Sequence, residues 1–154
     1  MEFRILGPLE IVDGDTMIRP QAAKQRALLG VLLLHPNEVV SSERLIDELW
    51  GERPPTTAAK TLQTYVSQLR RLLGREVIAT RPPGYLLRVQ EHAVDSVRFR
   101  RLTAKARHLV AGGNHEQAHA LYVEALALLR GSALADVVFE SFAATRSTAW
   151  RRNG

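Results

Sequence analysis

The run from Thr56 to Leu73, TTAAKTLQTYVSQLRRLL, constrains this chain more than any other stretch. Its apolar residues Leu62, Val66, Leu69 and Leu73 recur at spacings of four, three and four. That period lines them along one stripe of an α-helix facing a core. The other flank is polar and basic. Lys60, Thr61, Gln63, Thr64, Ser67, Gln68, Arg70 and Arg71 set phosphate-binding cations beside hydroxyl and amide side chains that can hydrogen-bond to base edges. Such a flank suits a helix lying in the major groove of DNA. Taken alone it also fits the commoner case, an amphipathic helix with a solvated face.

The residues that follow decide between the two. Thr56 or Thr57 caps the helix and Gly74 ends it. Two β-rich runs, Glu76-Val77-Ile78-Ala79 and Tyr85-Leu86-Leu87-Arg88-Val89, then flank a tip at Thr80-Arg81-Pro82-Pro83-Gly84, which reads as a hairpin. A helix-turn-helix followed by a two-stranded wing is a DNA-binding layout: the helix enters the major groove while an arginine of the hairpin, here Arg81, reaches the adjacent minor groove. Charge is distributed accordingly. From Glu38 to Glu52 five acidic residues stand against Arg44 alone, whereas from Lys60 to Arg88 six basic residues stand against Glu76 alone. Positive charge gathers on the reading helix and the wing.

Upstream, Met1 to Val12 alternates with period two around a Gly7-Pro8 turn, and Asp13-Gly14-Asp15 precedes a short third strand at Met17 and Ile18, so a small antiparallel sheet is expected. Pro20 starts a helix that runs to about Leu34, with apolar residues around most of its circumference and a stop at Pro36. Ser41 or Ser42 caps the next helix, whose buried stripe is Leu45, Ile46, Leu49 and Trp50. Gly51-Glu52-Arg53-Pro54-Pro55 breaks the chain before the reading helix.

With 154 residues, of which 45% are hydrophobic, the chain has material for one domain or two small ones with real cores. Cysteine is absent, which removes disulfides and thiolate metal sites and agrees with a reducing cytoplasm. Met1 to Leu6 contains Glu2 and Arg4 and shows no apolar signal core. The most apolar stretch, Ala27 to Leu34, falls far short of the roughly 20 residues of a membrane span. A cytoplasmic, nucleoid-associated protein without membrane partners is expected. The formal net charge of +5 permits a polyanionic partner without demanding one.

Beyond a linker at Glu91 to Val94 the pattern turns helical, with Phe99, Leu102, Ala106, Leu109 and Val110 on one side up to Gly112-Gly113-Asn114. A second helix carries Ala118, Leu121, Tyr122, Ala125, Leu126 and Leu129 and is expected to end at Gly131. Two apolar-faced helices joined by a glycine turn form a hairpin of the kind tetratricopeptide units use. One motif points elsewhere: His115-Glu116-Gln117-Ala118-His119 satisfies H-E-x-x-H, with His115 and His119 as zinc ligands, Glu116 as base and Glu140 as a conceivable third ligand. It sits at a helix start where hairpin repeats place polar residues, with no substrate strand or cleft around it, and is read as coincidental.

Residues 1 to 89 resemble the DNA-binding domain of the Streptomyces antibiotic regulatory protein family, a winged helix of the OmpR type. The resemblance rests on Leu6-Gly7-Pro8-Leu9, Lys24-Gln25-Arg26-Ala27-Leu28-Leu29, Leu45-Ile46-Asp47-Glu48-Leu49-Trp50-Gly51, Pro54-Pro55, Leu62 through Arg70, and Gly84-Tyr85. It implies phosphate contacts at Lys60, Thr61, Tyr65, Ser67 and Arg70, base contacts at Gln63, Thr64 and Gln68, and a wing arginine at Arg81, with Arg71 on the same flank. Gln68 stands where many relatives have arginine, so their base preference does not transfer. The loop from Gly51 to Pro55, with Glu52 and Arg53, resembles the segment through which such proteins meet RNA polymerase.

The second half resembles the start of the bacterial transcriptional activator domain of the same family, through Phe99-Arg100-Arg101-Leu102, Gly113, Ala118, Glu124 through Gly131 and Leu134-Ala135-Asp136. In the family the helical array continues further, so a truncated activator domain ending at Arg151-Arg152-Asn153-Gly154 is expected. The fold expected is α+β: a winged-helix domain over residues 1–90 and the all-α, tetratricopeptide-like start of an activator domain over 95–154. The expected function is activation of transcription through binding to direct repeats in double-stranded promoter DNA and recruitment of RNA polymerase holoenzyme, for a secondary-metabolite gene cluster, with a second copy on the tandem repeat. No cofactor, metal or catalysis is expected. The alternatives are a helical protein-interaction module with a vestigial wing, and a zinc hydrolase built on His115, Glu116 and His119.

Overall fold

The computed structural model describes residues 1–140, so Arg151 to Gly154 and the rest of the expected activator domain after Glu140 lie outside the described residues. The chain opens with the expected sheet. Strands β1 (Glu2–Arg4), β2 (Glu10–Asp13) and β3 (Thr16–Ile18) pair antiparallel in that order, with Phe3 opposite Ile11 and Ile11 opposite Ile18. Phe3 and Ile11 point into the core.

Helix α1 (Ala23–Leu34) buries every residue from Ala27 to Leu33, because its apolar side chains surround the axis. It begins three residues after Pro20, since Ala22 is still extended. Helix α2 (Ser42–Trp50) is capped by Ser41, whose hydroxyl accepts from the Arg44 amide at 3.1 Å. Helix α3 (Ala58–Leu73) buries Ala58, Leu62, Val66, Leu69 and Leu73, and ends at Gly74, whose φ of 108° suits a residue without Cβ.

The wing differs from the two-stranded hairpin expected. Strand β4 (Val39–Ser41), between α1 and α2, joins β5 (Ile78–Arg81) and β6 (Gly84–Leu87) in the order β4-β6-β5. Val39-Val40-Ser41 is too short to show a period, and its partner lies over forty residues away, Val40 facing Tyr85. Glycine at 84 makes this pairing possible: a Cβ there would stand 1.9 Å from the Val40 carbonyl oxygen. The strands are also shorter at their outer ends, with only Pro82 and Pro83 in the turn, since Arg81 pairs with Gly84. Asn37, at a left-handed φ of 61°, donates its amide to the Val89 carbonyl and accepts from the Val89 N–H, pinning the outgoing strand.

The segment after the wing makes a short 3-10 turn at Glu91–Ala93, and Val94 then bridges Phe3 of β1. Helices α4 (Asp95–Ala111) and α5 (His115–Leu126) form the expected hairpin, closed by buried Ala106, Ala118 and Ala125. Helix α5 stops at Leu126 rather than near Gly131. From there the backbone is used otherwise: the amides of Arg130, Leu134 and Ala135 donate to the carbonyls of Leu6, Ile5 and Gly7 at 2.8, 2.9 and 3.3 Å. This returning strap delivers Leu134 and Phe139 to the core shared by α1, α2 and α3, with the Phe139 ring against Gly30. Its last described residue donates to the Glu48 carbonyl at 3.0 Å. No helix among the described residues is long and apolar enough to cross a membrane.

One carboxylate closes the seam between the halves. Asp95, at the start of α4 and 1% exposed, accepts from the backbone amides of Ile5 at 2.8 Å and Leu6 at 3.0 Å. Burial raises its pKa above the ordinary 3.8, opposed by the amides of Ile5, Leu6 and Ser96 and by the charge of Arg130. Arg98–Glu2 at 3.2 Å and Arg130–Glu10 at 3.0 Å flank it. Replacing Asp95 by alanine strands two buried donors, each costing about 1–3 kcal/mol. D95A is therefore expected to lower the midpoint of urea unfolding by the equivalent of about 2–6 kcal/mol with little change in slope. Because the folded-state pKa is raised, the contribution of this group is fully present below the unfolded value and is lost as pH rises through the raised one. The stability of wild type relative to D95N should accordingly fall with increasing pH across that acidic window, which denaturation at a series of pH values checks.

Candidate nucleic-acid interface

Burial of the apolar stripe turns the opposite face of α3 outward. Lys60, Gln63, Thr64, Ser67 and Arg71 are all exposed, and at helical spacing they form one continuous polar strip from the first turn to the last. Thr64 donates its hydroxyl to the Lys60 carbonyl at 3.2 Å. The strip is one of hydroxyls and amides with a cation at each end. Thr61 lies half-buried at its edge.

The other four expected contact residues have protein partners as well. Tyr65 is half-buried and stacks on Trp50 of α2, with ring centroids 6.2 Å apart and planes inclined by 20°. Lys24 of α1 sits over the Trp50 ring, its ammonium 5.9 Å from the centroid and hydrogen-bonded to the Leu49 carbonyl. Gln68 accepts from the side-chain amide of Gln25, also on α1, so its carboxamide is oriented by the scaffold rather than loose. Arg70 donates Nε to the Ile78 carbonyl at 2.9 Å and Nη2 to the Thr80 hydroxyl at 2.8 Å. That fork ties the last turns of α3 to strand β5 and holds the wing beside the helix.

Arg81 follows Thr80 directly and is exposed at the end of β5, where its guanidinium reaches, among the described residues, only its neighbour's carbonyl at 3.4 Å. Arg75 and Arg88 are exposed nearby in the chain. Glu52 and Arg53 occupy the exposed loop between α2 and α3, and Glu43 and Asp47 are exposed on the preceding helix. The strap ends beside this loop, since a Cβ on Gly51 would lie 3.1 Å from the Glu140 carbonyl oxygen.

Three supporting residues escaped the sequence reading: Gln25, Trp50 as a platform for Tyr65, and Thr80 as a partner of Arg70. Gln25 left one trace, a polar Lys24-Gln25-Arg26 triplet heading a helix that is otherwise apolar. The H-E-x-x-H residues His115, Glu116 and His119 are exposed at the start of α5, and the described residues include no cluster of three or more potential metal ligands.

A winged helix with a basic, amide-rich third helix and an arginine-bearing hairpin is the layout used by DNA-binding transcriptional regulators. Two family models divide the chain in the same terms: residues 20–87 match the transcriptional regulatory protein C-terminal family and residues 94–153 the bacterial transcriptional activator domain. Relatives match across both. Regulatory protein AfsR of Streptomyces griseus is 35% identical over 98% of this chain and 16% of its own length, and regulatory protein DnrI of Streptomyces peucetius 38% identical over 89% and 54%. The solved structure of Mycobacterium tuberculosis EmbR, in complex with a low-affinity phosphopeptide, superposes with a TM-score of 0.93 at 36% identity, covering 99% of this chain and 42% of EmbR. The chain belongs to the Streptomyces antibiotic regulatory protein family, a family of transcriptional regulators and not of enzymes. It spans about half or less of the length of these relatives.

The two kinds of arginine on α3 should separate experimentally. R71A, exposed and away from the wing tie, is expected to leave stability within about 0.5 kcal/mol and to reduce the slope of log affinity against log salt by about 0.9. R70A should instead lower stability by about 1–3 kcal/mol by releasing β5, seen in urea unfolding without any DNA present.

Proposed function

We propose that this chain binds double-stranded promoter DNA through α3 and the wing and activates transcription there by engaging RNA polymerase. The observation that carries the reading is the tie from Arg70 to Ile78 and Thr80, which presents the polar strip of α3 and the arginine-bearing hairpin as one surface. Lys60, Arg71 and Arg81 are offered as phosphate or minor-groove contacts and Thr61, Tyr65 and Ser67 as polar contacts to the backbone. Gln63, Thr64 and Gln68 are offered as base readers. A carboxamide held by Gln25 meets adenine in a fixed orientation, and the Thr64 methyl can meet a thymine methyl. Arg70 divides its donors between the wing and DNA.

A single reading helix covers few base pairs, so two copies on a tandem direct repeat supply the specificity that one lacks. Glu52 and Arg53, on the exposed loop, are the surface offered to the polymerase. We take residues 1–90 as the DNA-binding unit and 95–154 as the start of the activator domain, and place the protein in the cytoplasm on the nucleoid. Control of a secondary-metabolite gene cluster belongs to the same reading, after the relatives.

Footprinting on the promoters beside its own gene tests the proposal. A protected direct repeat is expected. Q68A should cost about 1–3 kcal/mol on that repeat and little on random DNA. Absence of salt-dependent DNA binding, or equal losses for Q68A on both DNAs, would sink the assignment. E52A with R53A should leave the footprint intact while lowering transcription in a reconstituted assay.

A further inference from the structure

A cavity of about 220 Å³ lies where the two halves of the molecule meet. Its apolar wall comes from both: Ile5 just after β1, Leu33 and Leu34 of α1, Val97 of α4 and Ala133 of the strap. Two polar groups converge on it. Ser96 is 6% exposed as a residue and lines the cavity, and its hydroxyl makes no hydrogen bond among the described residues. Arg100, one helical turn further along α4, also lines the cavity. Its neighbours Arg98 and Arg101 are paired with Glu2 and Glu91, whereas Arg100 makes no ion pair among the described residues. The His35 ring at the rim is already engaged by Arg44 and Glu38.

We propose that this cavity is a binding site for a small carboxylate with an apolar body of about ten heavy atoms, a size set by a volume below the roughly 300–1,000 Å³ of drug-sized pockets. The carboxylate accepts from the Ser96 hydroxyl and the Arg100 guanidinium, and the body fills the space between Leu33, Leu34 and Val97. A ligand gripped by α1 on one side and α4 on the other stabilises the docking of the helical hairpin onto the winged helix. The site is independent of the DNA-binding surface and stands or falls without it.

Sodium octanoate is the probe, with 1-octanol as its uncharged counterpart, on the full chain. Octanoate is expected to raise the unfolding temperature saturably by mass action and to give intermolecular nuclear Overhauser contacts to the methyl groups of Leu33, Leu34 and Val97. Arg100→Gln, on an exposed residue, should weaken octanoate about tenfold or more and leave octanol unchanged, as loss of a charge-assisted hydrogen bond requires. Ser96→Ala should weaken octanoate by a smaller factor. No saturable effect of octanoate, contacts to methyl groups elsewhere, or equal binding of octanoate to wild type and Arg100→Gln would each overturn the proposal.

Discussion

The rotation of α3 about its own axis is the constraint on which the rest of the molecule depends, and burial fixes it. Leu62, Val66, Leu69 and Leu73 each gain about 1.5–3 kcal/mol on leaving water, an upper bound because the unfolded chain is partly compact. Turning the helix by half a circle would forfeit most of that and bury two or three charges instead. A hydrogen bond on the exposed side, worth about 1 kcal/mol, cannot compete. Packing against α1 and α2 therefore decides which residues face outward, and the strip from Lys60 to Arg71 is the consequence.

Given that orientation, hydrogen bonds set the finer geometry. Arg70 is the hinge between helix and wing, because its planar fork meets a backbone carbonyl and a hydroxyl on the same strand. Gln25 and Trp50 fix Gln68 and Tyr65 from behind. A surface whose side chains are already oriented loses less rotational freedom on binding, and so discriminates more sharply for the same number of contacts.

The helical half is joined to this scaffold rather than strung from it. Val94 bridges β1, Asp95 satisfies the amides of Ile5 and Leu6, and the strap carries Leu134 and Phe139 into the core around α1. The N-terminal sheet thus serves both halves, and a change in the helical hairpin has a direct packing route to the base of the winged helix. The strap also ends beside the loop that bears Glu52 and Arg53, so that exposed loop sits within reach of the same route.

Local patterns wrote the helices, the opening sheet and the outward strip of α3 into the chain directly: a 3.6-residue period, a serine cap and paired prolines act over a few residues and need no partner. The same holds for the resemblance to the regulator family, carried by ordered motifs from Leu6 to Asp136. Only the folded chain decided what joins residues far apart. Strand β4 exists because Gly84 lets it approach, the amides of Arg130, Leu134 and Ala135 beyond α5 bond to the turn that follows β1, and Asp95 is buried where it accepts from two amides of that same turn. A three-residue strand and a single carboxylate have no period to read, and their partners are fixed only when the core has brought the ends of the chain together.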